Sequence, residues 1–158
     1  MERAKEFINR LRGLQAELNR IGAGERVAFT TWWPPSVNHY WRRTEKGRLA
    51  LTSRAREFRA NVLADALAAR SAVHFTGPVG VELVLHPPDR RVRDIDNVIK
   101  PLLDALTFAG VFEDDRQVKR LVVVEGCPTK GGAVEVAVRP LGYTMDEWRS
   151  RCDDSGDA

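Results

Sequence analysis

The pattern of apolar residues between positions 79 and 109 changes once, at the pair Pro87-Pro88. After the prolines, apolar residues recur at helical spacing over about 97–109, and Gly110 suits the end of that helix. Before the prolines, every second residue is apolar, as in a strand with one buried face: Val79, Val81, Leu83 and Leu85. Because a strand and a helix joined in this way bury one face each, the chain is restricted to folds in which helices pack against a sheet.

Other segments repeat these two patterns. Strands are predicted at 26–32, 118–125 and 133–139, and the last two are expected to form an antiparallel hairpin around Lys130-Gly131-Gly132. Ser53 is predicted to cap a helix that runs to about residue 70. Its buried side is expected to carry Phe58, Val62, Ala66 and Ala69. The predicted fold class is α+β (mixed α/β): a single domain with a mixed sheet and helices packed against it.

Three regions are expected along the chain. Residues 1–25 form an N-terminal helical extension, 26–142 form the main domain, and 143–158 form a short C-terminal helix and an acidic tail. The extension has an apolar stripe at nearly heptad spacing, made of Phe7, Leu11, Leu14, Leu18 and Ile21. Packing against a second subunit and packing on its own domain are equally compatible with that stripe.

Composition favours a soluble, cytoplasmic protein. The chain has 158 residues, of which 43% are hydrophobic and 30% are charged, and these values are ordinary for one globular domain. No apolar stretch approaches the roughly 20 residues of a membrane span, and the N-terminus lacks the features of a secretory signal. Cys127 and Cys152 match no metal-binding spacing, so reduced thiols are expected.

Basic residues cluster at 42–48, 54–59 and 90–93, whereas the last residues are acidic. Such a basic body suits a polyanionic partner, although scattered solvated arginines explain the charge equally well. In the loop at 33–52, Asn38, Tyr40 and Trp41 precede Arg42 and Arg43, and this mixture of aromatic and cationic groups could follow a nucleic-acid strand. The alternative is that the aromatic side chains fill the edge of the core.

Asp94 and Asp96 lie between the predicted strand and the helix at 97–109. Carboxylates two residues apart share a side if the backbone there is extended, and then they can hold one hard cation such as Mg²⁺. The alternative is that Asp96 or Asn97 only caps the helix.

A second acidic pair, Asp114-Asp115, follows the same helix, where a chain reversal can return it to the first pair. Adjacent residues on an extended segment point to opposite faces, so only one of the two is expected to be a close ligand, with Asp114 supporting Asp115. Lys100 lies four residues after Asp96 and is expected on the same helix face, where it could hold a phosphate. An exposed lysine of an amphipathic helix is the alternative.

Carboxylate-held magnesium supplies what phosphodiester hydrolysis needs, namely an activated water and compensation for charge on the phosphoryl oxygens. The three histidines show no zinc spacing, and the sequence has no Walker loop, nucleophile elbow or dinucleotide fingerprint. These residues therefore favour a metal-dependent nuclease over the competing enzyme classes.

Several motifs together resemble the RusA family of Holliday junction resolvases. They are Trp33-Pro-Pro-Ser, Pro88-Asp-Arg-Arg, Asp94-Ile-Asp-Asn, Lys100, Leu103-Asp-Ala-Leu, Glu113-Asp-Asp-Arg-Gln-Val and Thr129-Lys-Gly-Gly. The resemblance covers roughly residues 27–140, so the main domain at 26–142 is expected to be a RusA-like nuclease domain.

The resemblance implies a homodimer that binds a four-way DNA junction and nicks two strands symmetrically, with Mg²⁺ or, in its place, Mn²⁺. It implies that Asp94, Asp96 and Asp115 are the metal ligands and that Lys100 is the functional lysine. The residues expected to contact DNA are Asn38, Tyr40, Arg42, Arg43, Arg90, Arg91, Arg93, Lys100 and Lys130.

Two rival interpretations remain open from the sequence. One is a related nuclease that acts on flaps, replication forks or single-stranded DNA. The other is a DNA-binding module without activity, in which the aspartates only cap a helix.

Overall fold

The computed structural model of the chain describes residues 26–69 and 74–153, apart from the side chains of 151–153. The predicted N-terminal helix and the acidic tail beyond residue 153 lie outside the described residues. In chain order the elements are β1 (Val27–Trp32), β2 (Trp41–Arg43), β3 (Leu49–Leu51), α1 (Ser53–Ala68), β4 (Val79–His86), α2 (Asp96–Phe108), β5 (Val118–Glu125), β6 (Ala133–Pro140) and α3 (Met145–Asp153). None of the described helices is both long and apolar enough to cross a membrane.

Four strands form one mixed sheet in the order β1-β6-β4-β5. β6 runs antiparallel to both of its neighbours, whereas β5 runs parallel to β4. A parallel pair needs a crossover connection, and α2 lies within the connection from β4 to β5. The predicted α+β class with a mixed sheet is therefore confirmed.

The predicted hairpin of β5 and β6 is wrong, because β4 lies between these two strands. β6 instead pairs with β4 from Ala133 opposite His86 to Pro140 opposite Val79. The glycines after Lys130 do adopt the left-handed backbone typical of turns, with φ of 85° at Gly131 and 72° at Gly132. Their turn carries the chain past the end of β4 rather than back along β5, so local turn chemistry misled the prediction.

The core lies between one face of this sheet and the two helices α1 and α2. Buried residues of β4 and β6, such as Leu83 and Val136, pack with Phe58 of α1 and with Leu102 and Leu106 of α2 in one cluster. The apolar pattern of both helices is thus explained by burial against the sheet.

Two details of α1 correct the prediction. The N-cap is Thr52 rather than Ser53, since the Thr52 hydroxyl accepts a hydrogen bond of 3.2 Å from the backbone N–H of Ala55. Ala69 is exposed, because the helix ends at Ala68 and Ala69 is its C-cap.

The loop predicted at 33–52 contains a short hairpin of β2 and β3, paired from Trp41 opposite Leu51 to Arg43 opposite Leu49. Tyr40, just before β2, is 1% exposed and belongs to the core edge. The expectation that Tyr40 touches DNA is therefore wrong, because its ring has no surface to offer. Trp41 is 45% exposed.

Candidate active site

The first acidic segment lies where the chain leaves β4 and enters α2. Ile95 is the N-cap residue, with φ of −59° and ψ of −39°, and no side chain caps the helix. Neither Asp96 nor Asn97 therefore serves as the cap that the alternative interpretation required. The assumption of an extended backbone between Asp94 and Asp96 is also wrong, since Ile95 is helical and Asp96 is the first residue of α2.

Both of these carboxylates are exposed. Asp94 accepts one long contact of 3.5 Å from the side-chain amide of Asn97. Within the described residues the side chain of Asp96 has no hydrogen bond or ion pair. Their oxygen lone pairs are therefore available to a ligand from solvent.

The second acidic segment is held in a 3-10 turn, Asp115–Gln117, and Asp114 caps it. The Asp114 carboxylate accepts a hydrogen bond of 2.8 Å from the backbone N–H of Arg116 and lies 3.2 Å from its Nε. These contacts, the backbone one first, lower the pKa of Asp114. Its side chain is thus occupied locally, whereas the neighbouring Asp115 carboxylate points to α2.

Gln117 fixes this turn from inside the protein, where it is 5% exposed. Its Oε1 accepts hydrogen bonds from the backbone N–H groups of Glu113 and Asp114, at 2.8 and 2.9 Å. Its Nε2 donates to the carbonyls of Phe75 and Gly77, also at 2.8 and 2.9 Å. The amide therefore connects the acidic turn to the segment that leads into β4.

Lys100 links the second acidic segment to α2. Its ammonium donates to Oδ1 of Asp104 at 2.8 Å and to Oδ2 of Asp115 at 2.5 Å. These hydrogen bonds, the one to Asp104 first, raise the pKa of Lys100 above its ordinary value. Lys100 lies one turn after Asp96 on α2, so it connects Asp115 to the helix that Asp96 begins.

The donor set suits a hard divalent cation, because every candidate ligand atom is a carboxylate oxygen. Among the described residues, however, no three Asp, Glu, His or Cys side chains are close enough together to hold a metal ion. Asp94 and Asp96 are exposed and have no charged partner within residues 26–69 and 74–150, so they are free to turn toward an ion that a substrate phosphate also binds. The residues thus fit an ion shared with the substrate better than a closed protein cage.

The loop before the first acidic segment is braced by Arg93. Its two terminal nitrogens donate to the two oxygens of Asp89, at 2.7 and 2.8 Å. This pairing with Arg93, with a further hydrogen bond from the backbone of Arg91, lowers the pKa of Asp89 from 3.8 to about 2. Arg93 is thereby occupied within the loop, whereas Arg90 and Arg91 are exposed.

The other residues expected to contact DNA, with the exception of Tyr40, reach the surface. They are Asn38, Arg42, Arg43 and Lys130. Asn38 lies in a 3-10 turn before β2, Arg42 and Arg43 lie on β2, and Lys130 lies in the turn before β6.

Two residues of the site were missed from the sequence as functional candidates. Asp104 is the second partner of Lys100, and its spacing of four residues on a helix was the available signal. Arg59 of α1 donates a hydrogen bond of 2.7 Å to the buried hydroxyl of Tyr40. In the sequence Arg59 is one of several arginines at 54–59, and nothing there distinguishes it.

Comparison with known families gives one match that spans the whole site. The sequence model of the family described as "Endodeoxyribonuclease RusA" matches residues 32–139. That range begins at the last residue of β1 and includes both acidic segments, the basic loop and β6.

Curated relatives cover the same region. The chain is 38% identical over 115 residues, which are 73% of this chain and 95% of the relative, to "Crossover junction endodeoxyribonuclease RusA" of Shigella sonnei (strain Ss046). The protein of that name from Escherichia coli (strain K12) has the same identity and coverage. "Crossover junction endodeoxyribonuclease rusA" of Enterobacteria phage 82 is 38% identical over 114 residues, 72% of this chain and 94% of the relative.

Proposed function

This chain belongs to the RusA family of endodeoxyribonucleases, and from that membership we propose that it resolves four-way DNA junctions by magnesium-dependent hydrolysis of phosphodiester bonds. Nicking of crossover junctions is the activity in the names of its curated relatives. The process it serves is recombination and repair of DNA.

The observation that carries the site assignment is the contact of Lys100 with Asp115. It joins the acidic turn after α2 to the helix that Asp96 begins. Asp96 and Lys100, four residues apart, share one face of α2, and the lysine links Asp115 to that helix. We assign Asp94, Asp96 and Asp115 as metal ligands and Lys100 as the cation that meets the reacting phosphate.

Bound Mg²⁺, or Mn²⁺ in its place, would supply a deprotonated water and Lewis-acid polarisation of the phosphoryl oxygens. The protein's own part is to orient the substrate and to balance charge. Lys100 stays protonated because Asp104 and Asp115 raise its pKa, so it can stabilise negative charge that develops on the phosphate. Asp114 caps the turn and thereby fixes the backbone of Asp115.

Substrate binding is assigned to the exposed cations around this site. Arg90 and Arg91 precede the first acidic segment, Arg42 and Arg43 are exposed on β2, and Lys130 is exposed in the turn before β6. Exposed arginines and lysines contribute affinity for phosphate without sequence selectivity, which suits an enzyme that selects DNA by shape.

We further propose a homodimer, because two equivalent active sites suit a junction that is cut symmetrically. We assign residues 26–142 to the nuclease domain and treat residues 1–25 and 143–158 as additions to it. The solution mass of the full-length protein, compared with a variant lacking residues 7–21, tests whether the N-terminal addition joins subunits. A dimer that survives the deletion would assign the interface to the nuclease domain.

The deciding experiment compares nicking of a synthetic mobile four-way junction, a flap and a linear duplex, each with and without Mg²⁺. We expect paired nicks in the junction that require the metal, and little cutting of the other two substrates. Preferred cutting of the flap would instead indicate a related nuclease. Junction binding without cutting, in both Mg²⁺ and Mn²⁺, would favour a binding module and contradict the proposal.

A further inference from the structure

Arg59, near the middle of α1, carries a guanidinium that aromatic groups hold in place. Its Nε donates a hydrogen bond of 2.7 Å to the Tyr40 hydroxyl. Its Cζ lies 5.5 Å from the centroid of the Tyr40 ring and 5.6 Å from that of Phe108. Among residues 26–69 and 74–153, no carboxylate pairs with Arg59. Its charge is therefore fixed in position but not compensated by an acid.

Tyr40 can act as a rigid support for this arginine. The side chain is 1% exposed, and burial raises its pKa, so the hydroxyl stays neutral and does not cancel the positive charge. The hydroxyl accepts from Nε, which leaves both terminal nitrogens of Arg59 without a hydrogen bond in the described part of the chain. A planar fork with its two terminal groups free is well suited to bind the oxygens of a phosphate.

Arg59 of α1 lies beside the face of α2 that carries Lys100. Lys100, Asp104 and Phe108 follow one another at intervals of four residues on α2 and therefore share a face. At about 1.5 Å per residue, Phe108 lies roughly 12 Å along the helix from Lys100. Lys100 and Asp104 both act electrostatically on the Tyr40 hydroxyl, so Arg59 and Lys100 belong to one region of the surface.

We propose that Arg59 binds a non-scissile phosphate of the DNA strand that is cut at the acidic site, with Tyr40 and Phe108 orienting its guanidinium. This phosphate is expected within a few nucleotides of the cut, because Phe108 lies roughly 12 Å along α2 from Lys100. Phe108 is 54% exposed, so the contact is open to DNA. The inference rests on the proposed nuclease function and adds a second, fixed phosphate contact to it.

The test uses the full-length chain with Asp96→Asn, so that binding is measured without cutting. Arg59→Gln and Arg54→Gln are compared in that background. Arg54 is exposed on the same helix and lies five residues away, about 140° around its axis, so it controls for loss of one charge from α1. The readout is the dissociation constant for the four-way junction at several salt concentrations.

We expect Arg59→Gln to weaken binding about tenfold or more and to reduce the salt slope of log K by about one. Arg54→Gln is expected to leave the slope close to that of the parent. Equal slopes and affinities for the two variants, in protein that melts cooperatively at the parent temperature, would overturn the proposal.

A second measurement needs no substitution at Arg59. Junction DNA is expected to protect Arg59 of the Asp96→Asn protein from an arginine-specific dicarbonyl reagent, and to leave Arg54 reactive, as read by peptide mass. Equal labelling of Arg59 with and without DNA would contradict the proposal even if Arg59→Gln did not fold. Failure of the wild type to cut junctions would contradict the proposed function alone, because neither measurement here depends on cutting.

Discussion

The ammonium of Lys100 lies 2.8 Å from the carboxylate of Asp104, one turn further along α2, while it also donates to Asp115. Asp104 therefore holds Lys100 from within α2, whereas Asp115 holds it from the acidic turn. Asp104 has a side chain that is only 20% exposed, compared with 56% for Lys100. We interpret Asp104 as a positioning residue that acts through the lysine.

If Asp104 acts through Lys100, its effect on the nicking rate should depend on the presence of the lysine. A double-mutant cycle can measure this dependence. Asp104→Asn should slow junction nicking by about tenfold, whereas Lys100→Ala should slow it by about a hundredfold, the scale expected for loss of a charge-stabilising group. Since Asp104 acts through Lys100, adding Asp104→Asn to Lys100→Ala should cause no further loss. Two independent, multiplicative losses would show that Asp104 has another role.

Asp96→Asn is expected to separate binding from chemistry. The substitution preserves shape and removes a charged ligand, and Asp96 has no protein partner to lose within the described residues. Nicking should fall by more than about a hundredfold, since even groups around metal ligands contribute 10- to 100-fold. Junction affinity in gel shifts and the melting temperature should stay close to those of the wild type. Undiminished nicking would refute the metal role of Asp96.

Gln117→Ala should damage both stability and activity. It leaves two part-buried backbone N–H groups and two carbonyls without their side-chain partner, so the free energy of unfolding should fall by about 2–4 kcal/mol. Denaturant titration measures this change. Gln117→Glu can still accept from the two N–H groups, but it sets a nearly buried carboxylate oxygen against the carbonyls of Phe75 and Gly77, so a loss at least as large is expected at neutral pH. A clearly smaller loss for Glu than for Ala would contradict this account of the turn.

The ion pair of Asp89 and Arg93 predicts a pH dependence with a defined sign. The pKa of Asp89 is lowered from 3.8 to about 2, so the pair stabilises the fold fully above pH 3.8 and loses this effect as pH falls through about 2. The stability difference between the wild type and Asp89→Asn should therefore shrink over that range. The chemical shift of the Asp89 carboxyl carbon should titrate near 2, and a midpoint at 3.8 or above would contradict the prediction.

Gly131 and Gly132, in the turn before β6, allow two neighbouring alanine substitutions to be compared. Both have positive φ, so alanine at either position should cost about 1–2 kcal/mol. A Cβ at Gly131 would meet nothing within 4 Å, whereas one at Gly132 would lie 2.7 Å from Cβ of Trp33 and 3.2 Å from Cδ of Pro88. Gly132→Ala should therefore destabilise the protein by at least about 1 kcal/mol more than Gly131→Ala, as measured by denaturant titration. Equal losses would indicate that Trp33 moves aside.

The parts of the fold that follow from local pattern could be predicted from the sequence. β4 and α2 each bury one face along most of their length, so alternation and helical spacing located them to within a residue or two. The partners of β5 and β6 depend on long-range pairing with β4, to which the turn at Lys130 gives no clue. The β2–β3 hairpin has three residues per strand, too few for a periodic signal.

In the candidate site, too, some features could be predicted from local sequence pattern and others depend on long-range packing. Acidic residues on both sides of α2 mark the two segments in the sequence, and the contact of Lys100 with Asp115 links the second segment to α2. Arg59 is different, because its fixed orientation depends on Tyr40, which lies 19 positions away in the chain, and on Phe108 of another helix. Such an arrangement exists only after the helices have packed.

The position of β6 within the sheet affects how the protein is made. It is the last of the four strands in the chain, yet it lies inside the sheet and pairs with both β1 and β4. A nascent chain on the ribosome therefore cannot join β1 to β4 until residues 133–140 have emerged. Synthesis that stops before β6 leaves the edges of β1 and β4 without their shared neighbour, and an incomplete translation product of this nuclease lacks the sheet on which its helices pack.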